Sequence, residues 1–284
     1  MNPEHKKQFE EQGFVILKKV FTEEKLQEIR QLQEKIVAYA DKNLEDPFLP
    51  WSLEHRNDQG VLYDLYQRHP EFQEMAKNKE VLDCLEAVLG ENIYLYDNSL
   101  VYKPKGRKNG VAWHQDFISR VHEPLKIIVW MALDDVTKEN GTVQVIPGSH
   151  KQGHLPWHTV PGETHHDRVN MEYVEKDRDK IIYAELEAGD VLLFHMLVLH
   201  GSDEVHTSLP RRVYRCSYQS MDKKIFTPRQ SPIVMRGGSP EFLAEHYSKP
   251  HVKFKKKSIP VRAINKLGRI LANYGGKTTT NSAY

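Results

Sequence analysis

The chain has 284 residues, with 40 Lys and Arg against 39 Asp and Glu and a formal net charge of +1. This balance excludes a global positive field that would attract nucleic acid. The two cysteines, Cys84 and Cys216, are too few for a disulfide framework, and no apolar stretch approaches the ~20 residues that span a bilayer. We therefore expect a cytoplasmic protein with one sizeable core, formed by a single domain over residues 1–284.

The first part of the chain is predicted to be helical. Thr22 can cap a helix whose first turn carries Glu23 and Glu24, which favour the positive end of the helix dipole. A second helical pattern begins near Val81 and ends at Gly90, a suitable C-cap. The apolar residues at helical spacing in the first helix are Leu26, Ile29, Leu32, Ile36 and Val37. The first of these helices is expected to be scaffold.

Strand-like runs dominate from Ile93 to Tyr218, and two of them cover Ile127–Trp130 and Arg211–Tyr218. Turn-rich segments, Asn140-Gly141-Thr142 and Pro147-Gly148-Ser149-His150, bracket a short β-branched run. This pattern predicts a mainly β protein with flanking helices. The expected architecture is a helical layer packed on a double-stranded β-helix of the jelly-roll or cupin kind.

The segment Trp113-His114-Gln115-Asp116-Phe117 carries the strongest chemical signal. In an extended segment alternate side chains share a face, so His114 and Asp116 present an imidazole and a carboxylate side by side. One further imidazole from a neighbouring strand would complete the facial triad of two histidines and one carboxylate. That triad leaves coordination positions open in non-haem Fe(II) oxygenases, and the motif therefore predicts an oxygenase.

We assign the third metal ligand to His200, which opens the segment His200-Gly201-Ser202. Strand parity places His200 on the same face as Leu192 and Phe194, and His195 on the opposite face. His195 and His206 remain alternatives if this strand carries a bulge.

Together these segments resemble the phytanoyl-CoA dioxygenase family of Fe(II)/2-oxoglutarate oxygenases. The resemblance covers about residues 8–220, and its order and spacing are more specific than any single motif. Its landmarks are Gln12-Gly13-Phe14-Val15-Ile16-Leu17-Lys18-Lys19, His114-Gln115-Asp116, Asn140-Gly141-Thr142, Pro147-Gly148-Ser149-His150, Ala188-Gly189-Asp190, His200-Gly201-Ser202 and Arg211.

The resemblance implies an enzyme that uses Fe(II), 2-oxoglutarate and O2 and releases succinate and CO2. The far carboxylate of 2-oxoglutarate requires a planar, permanently charged guanidinium, and we assign this role to Arg211. The neighbouring Arg212 lies on the other face of the predicted strand and is expected to face solvent. By the same resemblance Lys103, Gln115 and Trp130 are expected to contact the cosubstrate.

The expected function is hydroxylation, or another oxidation, of a small polar metabolite or natural-product intermediate. Two alternatives stay open. A metal-dependent hydrolase or isomerase on a cupin barrel would use the same three ligands to hold Zn. A non-catalytic small-molecule-binding barrel is the other, although such a protein has no need of all three ligands together with Arg211.

Two further regions are expected to influence the substrate or partners. The insert at residues 154–183 is rich in aromatic and cationic groups, suited to covering a pocket for a polar or anionic molecule or to forming a solvated loop. The C-terminal extension at about 249–284 is basic and has an amphipathic pattern. It could dock on the core, form a homodimer contact, or meet an acidic partner or a phosphate-bearing substrate. The insert's distinctive residues are Trp157, His158, His165, His166 and Arg168.

Overall fold

The computed structural model describes residues 2–42, 55–56, 60–103, 110–160, 167–205, 207–222 and 233–238. The helices are α1 (Pro3–Gln12), α2 (Glu23–Lys42), α3 (Pro70–Ala76), α4 (Lys79–Leu89) and α5 (Glu172–Glu175). The strands are β1 (Phe14–Leu17), β2 (His55–Arg56), β3 (Val61–Tyr63), β4 (Ile93–Lys103), β5 (Val111–His114), β6 (Lys126–Ala132), β7 (Val143–Val145), β8 (Trp157–Thr159), β9 (Asp167–Val169), β10 (Ile182–Ala184), β11 (Val191–His195), β12 (His200–Ser202), β13 (Arg211–Ser220) and β14 (Ile233–Arg236).

Two antiparallel sheets face each other. The larger sheet has the order β1-β11-β6-β13-β4-β3-β2, with β14 also paired to β4, and the smaller has the order β10-β7-β12-β5. Apolar side chains from both sheets form one buried cluster between them, in which Ile128 and Val213 of the larger sheet meet Val143 and Val145 of the smaller. This is the predicted jelly-roll architecture.

The outer face of the larger sheet is covered by helices α2, α3 and α4. Tyr214 of β13 packs edge-on against Phe72 of α3 at 4.8 Å, and the Tyr218 hydroxyl donates to the carbonyl oxygen of Ala76 at 2.8 Å. Thr22 caps α2 by accepting a hydrogen bond from the Lys25 N–H, and α4 ends at Gly90 with a positive φ of 88°. Both predicted helices are therefore present, and both pack on the larger sheet.

A β-bulge in β4 changes which of its side chains face the space between the two sheets. The pairing with β13 shifts between Ser217 and Tyr218, which makes Tyr96 the additional residue. A bulge re-aims the side chains around it. Here the next residue, Asp97, contacts Arg215 on the inward face of β13.

Within the described ranges, no helix is both long enough and apolar enough to cross a membrane. The insert forms a hairpin of β8 and β9 followed by α5, and Trp157, His158 and Thr159 are exposed. His165, His166, His206 and the C-terminal extension at 249–284 lie outside the described residues.

Candidate metal centre

His114, Asp116 and His200 form a compact group in which the potential ligand atoms all lie within 4.8 Å of one another. His114 ends β5, His200 begins β12, and the two residues face each other across the strand ladder. Their ring centroids are 4.2 Å apart, and Oδ2 of Asp116 is 3.8 Å from Nε2 of His200. In the part of the chain that the structure describes, no other trio of His, Cys, Asp or Glu is arranged in this way.

Both imidazoles are oriented by a main-chain carbonyl two residues earlier in the chain. Nδ1 of His114 lies 2.8 Å from the carbonyl oxygen of Ala112, and Nδ1 of His200 lies 2.9 Å from that of Val198. Because a carbonyl only accepts, Nδ1 carries the proton in each ring and Nε2 keeps its lone pair for a metal. Burial lowers the pKa of His200 despite the opposing effect of Asp116, so this ring is neutral as a ligand must be.

His195 is not brought to this group. Its ring lies 5.1 Å from that of His150, and its Nδ1 accepts a hydrogen bond from the Leu197 N–H. Burial, together with the positive charges that His150 and His154 can carry, lowers the pKa of His195 to about 4. His200 and not His195 therefore joins the group, but the single-strand parity expected from the sequence does not apply, because the two histidines lie on different strands, β11 and β12.

Arg211 is buried on the same face of β13 as Arg215, whose guanidinium contacts Asp116. It pairs with Lys103 across the β13–β4 ladder and is 2% exposed. Among the described residues, Nε and Nη1 of Arg211 and Nε1 of Trp130 meet no hydrogen-bond acceptor. The guanidinium carbon is 5.4 Å from the Trp130 ring. Three buried donors without acceptors are costly, so this cluster fits an anionic ligand that supplies several oxygens.

Lys103 extends the cationic site. Its ammonium donates to Oγ of Ser202 at 3.2 Å and to the carbonyl oxygen of Asp203 at 3.3 Å. Burial and the charge of Arg211 lower the pKa of Lys103 to about 7. Gly141, with a φ of +83°, gives this side chain room, because a Cβ there would lie 2.5 Å from Nζ of Lys103. The Asn-Gly-Thr landmark thus supports the site without touching the metal ligands.

Gln115 points away from the metal-binding group. Its amide nitrogen donates to the carbonyl oxygens of Gly153 and Leu197, both at 2.8 Å, and its amide oxygen accepts from the Leu155 N–H at 3.0 Å. The side chain is 1% exposed and is occupied by backbone partners. We therefore do not retain Gln115 as a cosubstrate contact, and its position is that of a residue holding two loops together.

The expectation for Arg212 was wrong. Rather than facing solvent, its guanidinium makes a bidentate pair with Asp134, with contacts of 2.7 and 2.6 Å, and also donates to Gln33 of α2. The side chain is only 14% exposed. Strand parity separates the two arginines correctly, but it carries no information on what covers the outer face.

Sequence reasoning also missed the role of Arg215 and Asp97. Nη2 of Arg215 is 3.4 Å from Oδ1 of Asp116, and Nη1 is 3.2 Å from Oδ1 of Asp97. Burial acts to lower the pKa of Arg215, but the two carboxylates outweigh it and raise that pKa. The only signal in the sequence was that Arg215 shares a strand face with Arg211; nothing local pointed to Asp97.

Further charges surround Phe117, which directly follows the carboxylate and has a positive φ of 56°. Cationic groups of Arg120, Lys126 and Arg215 lie 5.7, 4.7 and 5.8 Å from the centre of its ring. The Lys126 ammonium is fully buried and pairs with Glu123 at 2.7 Å. Arg120 keeps 43% of its side chain exposed.

A jelly roll that brings together two buried histidines and a partly buried carboxylate has the architecture of the non-haem iron oxygenases with a facial triad. The sequence model described as phytanoyl-CoA dioxygenase (PhyH) matches residues 9–213. The chain belongs to this family.

Individual relatives agree with this membership. The chain is 27% identical to the peroxisomal phytanoyl-CoA dioxygenase of Homo sapiens over 233 residues, which are 77% of this chain and 68% of the relative. It is 24% identical to the ectoine dioxygenase of Nocardia farcinica over 239 residues, covering 79% and 80% of the two chains. The crystal structure of EctD from S. alaskensis with bound Fe superimposes with a TM-score of 0.64 at 18% identity, over 90% and 87% of the chains.

Proposed function

We propose that His114, Asp116 and His200 hold Fe(II), and that Arg211, Lys103 and Trp130 bind 2-oxoglutarate. The family and the three-ligand group make the protein an Fe(II)- and 2-oxoglutarate-dependent dioxygenase that acts on a small molecule. Hydroxylation is the reaction we favour. With iron, O2 and 2-oxoglutarate bound, the centre supplies the oxidant, and 2-oxoglutarate is converted to succinate and CO2.

The residues present fit both groups. Two neutral imidazoles and one carboxylate are the donor set that leaves three positions for a bidentate keto acid and dioxygen. The donors of Arg211 and Trp130 that meet no acceptor within the described ranges suit the far carboxylate of 2-oxoglutarate, since a guanidinium binds a carboxylate through two parallel hydrogen bonds. This pairing of a three-ligand group with an adjacent buried arginine is the observation that carries the proposal.

The alternatives of the sequence analysis are not favoured. A cupin-type hydrolase holding Zn needs a metal-bound water, but it does not need a desolvated guanidinium next to the metal. A non-catalytic barrel has no use for the three ligands. Named relatives include the L-proline trans-4-hydroxylase of Streptomyces griseoviridis, 29% identical over 178 residues, which are 55% of this chain and 65% of the relative. It supports a small metabolite as the substrate class.

We further propose that the substrate is polar and anionic. Of the cationic groups around Phe117, Arg215 is offset by Asp97. Arg120 and Lys126 share the single carboxylate of Glu123, at 3.6 and 2.7 Å, and Arg120 keeps 43% of its side chain exposed. An anionic substrate would therefore meet two cationic side chains that face only one carboxylate. Comparing turnover of carboxylate substrates with that of their methyl esters tests this charge preference.

The remaining proposals concern the whole chain. A single domain is supported by the family match over residues 9–213, close to the core expected at about 8–220. A cytoplasmic location is supported by Cys84 and Cys216 being buried free thiols. A homodimer contact through residues 249–284 stays a prediction, and light scattering of the full chain against a chain ending at residue 248 tests it.

Anaerobic addition of Fe(II) and then 2-oxoglutarate tests the proposed function. The keto acid chelated to iron should give a weak visible charge-transfer band, which Asp116→Ala should abolish. Succinate release across a panel of small polar metabolites then identifies the substrate. A wild-type protein that binds Fe(II) but shows no band with 2-oxoglutarate would contradict the cosubstrate assignment.

A further inference from the structure

Arg215 connects two carboxylates, and only one of them belongs to the proposed metal site. Nη2 of its guanidinium faces Oδ1 of Asp116 at 3.4 Å, while Nη1 faces Oδ1 of Asp97 at 3.2 Å. The side chains of Arg215 and Asp116 are each 16% exposed, and that of Asp97 is 18% exposed. The three groups therefore form a partly desolvated chain of alternating charge that ends at the metal ligand.

The two oxygens of Asp116 have different surroundings. Oδ2 lies 3.8 Å from Nε2 of His200, on the side where the three potential ligands converge. Oδ1 is turned toward Arg215. A carboxylate can bind a metal through one oxygen or through both, and binding through both would occupy one of the positions that the keto acid and dioxygen need.

We propose that Arg215, held by Asp97, is a positioning residue that keeps Asp116 a one-oxygen ligand. The inference rests on the proposed function. The guanidinium engages Oδ1, which leaves Oδ2 as the metal-binding oxygen and preserves the third open position. Partners that orient metal ligands in this way commonly change metal affinity by about 10- to 100-fold when removed.

Asp97 has a specific part in this arrangement. A guanidinium facing a single carboxylate tends to engage both of its oxygens in a bidentate pair, which would compete with the metal for Asp116. Asp97 binds the other amino group of Arg215 and so restrains the guanidinium from turning fully toward Asp116. The β4 bulge at Tyr96 immediately precedes Asp97, and Phe117 covers the guanidinium with its ring 5.8 Å away.

The test measures metal binding by the full chain, without turnover. Calorimetric titration with Co(II) gives the affinity, and the Co(II) absorption spectrum reports the coordination number. We expect Arg215→Gln to weaken Co(II) binding about 10- to 100-fold and to change the spectrum. Arg215→Lys keeps the positive charge but loses the planar guanidinium with its two amino groups. It should therefore keep part of the Co(II) affinity that Arg215→Gln loses. Asp97→Asn should also weaken binding, and Asp97→Asn combined with Arg215→Gln should be no worse than Arg215→Gln alone.

Arg212→Gln is the matched control, because it removes an arginine from the other face of the same strand. It should bind Co(II) with the wild-type affinity and spectrum even where it lowers the Tm. Wild-type affinity and spectrum in both Arg215→Gln and Asp97→Asn would overturn the proposal. If Arg215→Gln does not fold, the two single variants Asp97→Asn and Arg215→Lys take its place. Wild-type Co(II) affinity and spectrum in both of them would then overturn the proposal. Failure of the wild-type protein itself to bind Co(II) would instead refute the proposed metal site.

Discussion

Arg211 and Arg212 are adjacent in the chain, yet their guanidinium groups lie on opposite faces of β13 and have opposite surroundings. The Arg211 group is buried near the metal-binding residues, where Nε and Nη1 meet no acceptor among the described residues. The Arg212 group is held by Asp134 and Gln33 beneath α2. We therefore expect Arg211 to act in cosubstrate binding and Arg212 to act in the stability of the fold.

Replacing Arg211 by Ala should abolish tight binding of 2-oxoglutarate. The variant would leave the cosubstrate carboxylate without its partner in a desolvated site, at a cost of roughly 2–5 kcal/mol. Titration with 2-oxoglutarate at fixed Fe(II), followed by the visible band, measures this effect. Fe(II) affinity in the absence of 2-oxoglutarate should change little, and an unchanged 2-oxoglutarate requirement would show that another group holds the carboxylate.

Replacing Arg212 by Ala should lower stability and leave 2-oxoglutarate affinity unchanged. Asp134 would keep only Nε of Arg30, at 3.3 Å, and the main-chain N–H of residue 212, and loss of its bidentate partner in this largely buried position should cost about 2–3 kcal/mol. For a chain of this size the Tm should fall by roughly 5–10 °C. Thermal unfolding followed by circular dichroism checks this, and Asp134→Asn should produce a similar loss. A stable variant with weakened 2-oxoglutarate binding would reverse the assignment of the two faces.

Alanine at any one of His114, Asp116 and His200 should remove metal binding and turnover while the fold persists. A facial site with two ligands left loses both geometry and affinity, so we expect a decrease of more than about 100-fold. Calorimetry with Fe(II) or Co(II) measures it. His195→Ala is the control, since this histidine faces His150 instead, and loss of metal by that variant would argue against the ligand set.

Lys103 should make 2-oxoglutarate binding dependent on pH. In the ligand-free protein burial and Arg211 hold the pKa of Lys103 near 7. A bound carboxylate beside it stabilises the ammonium and raises that pKa, so binding takes up a proton above pH 7. Affinity should be flat below about pH 7 and fall as the pH rises above it. Calorimetric titrations between pH 6 and 9 measure how 2-oxoglutarate affinity depends on pH, and Lys103→Met should remove this dependence. The same pH dependence in that variant would refute the role of Lys103 in binding the cosubstrate.

Gln115→Ala should act on stability rather than on the cosubstrate. The change leaves two partly buried carbonyls and one buried N–H without their partner, and we expect a loss of about 3 kcal/mol in the free energy of unfolding. Denaturant unfolding of the metal-free protein measures this loss. A normal unfolding free energy together with weakened 2-oxoglutarate binding would restore Gln115 to the cosubstrate site.

The short motifs His114-Gln115-Asp116 and His200-Gly201-Ser202 predicted the residues that the structure brings together. Strand alternation is not the cause, because β5 ends at His114 with Asp116 in the following turn, and a turn separates His195 at the end of β11 from His200 at the start of β12. The motifs alone could not place Gln115, whose partners at Gly153 and Leu197 come from distant loops.

The contacts that were missed are long-range and depend on strand register. Asp97 meets Arg215 only because β4 pairs with β13 in one particular register, interrupted by a bulge at Tyr96. No pattern in the sequence marks this bulge. Likewise, the Asp134 partner of Arg212 follows from how β6 and β13 lie beneath α2, which periodicity alone does not specify.

The carbonyl contacts of His114 and His200 bear on the state of the enzyme when no metal is bound. Strand pairing of β5 with β12, not the metal, brings the two rings together and fixes their protonation. Small zinc domains, by contrast, gain their fold from the metal and lose it to chelators. This protein should therefore stay folded when a chelator removes its metal, and it should bind iron again afterwards. Iron binding is then a step that follows folding and can be repeated.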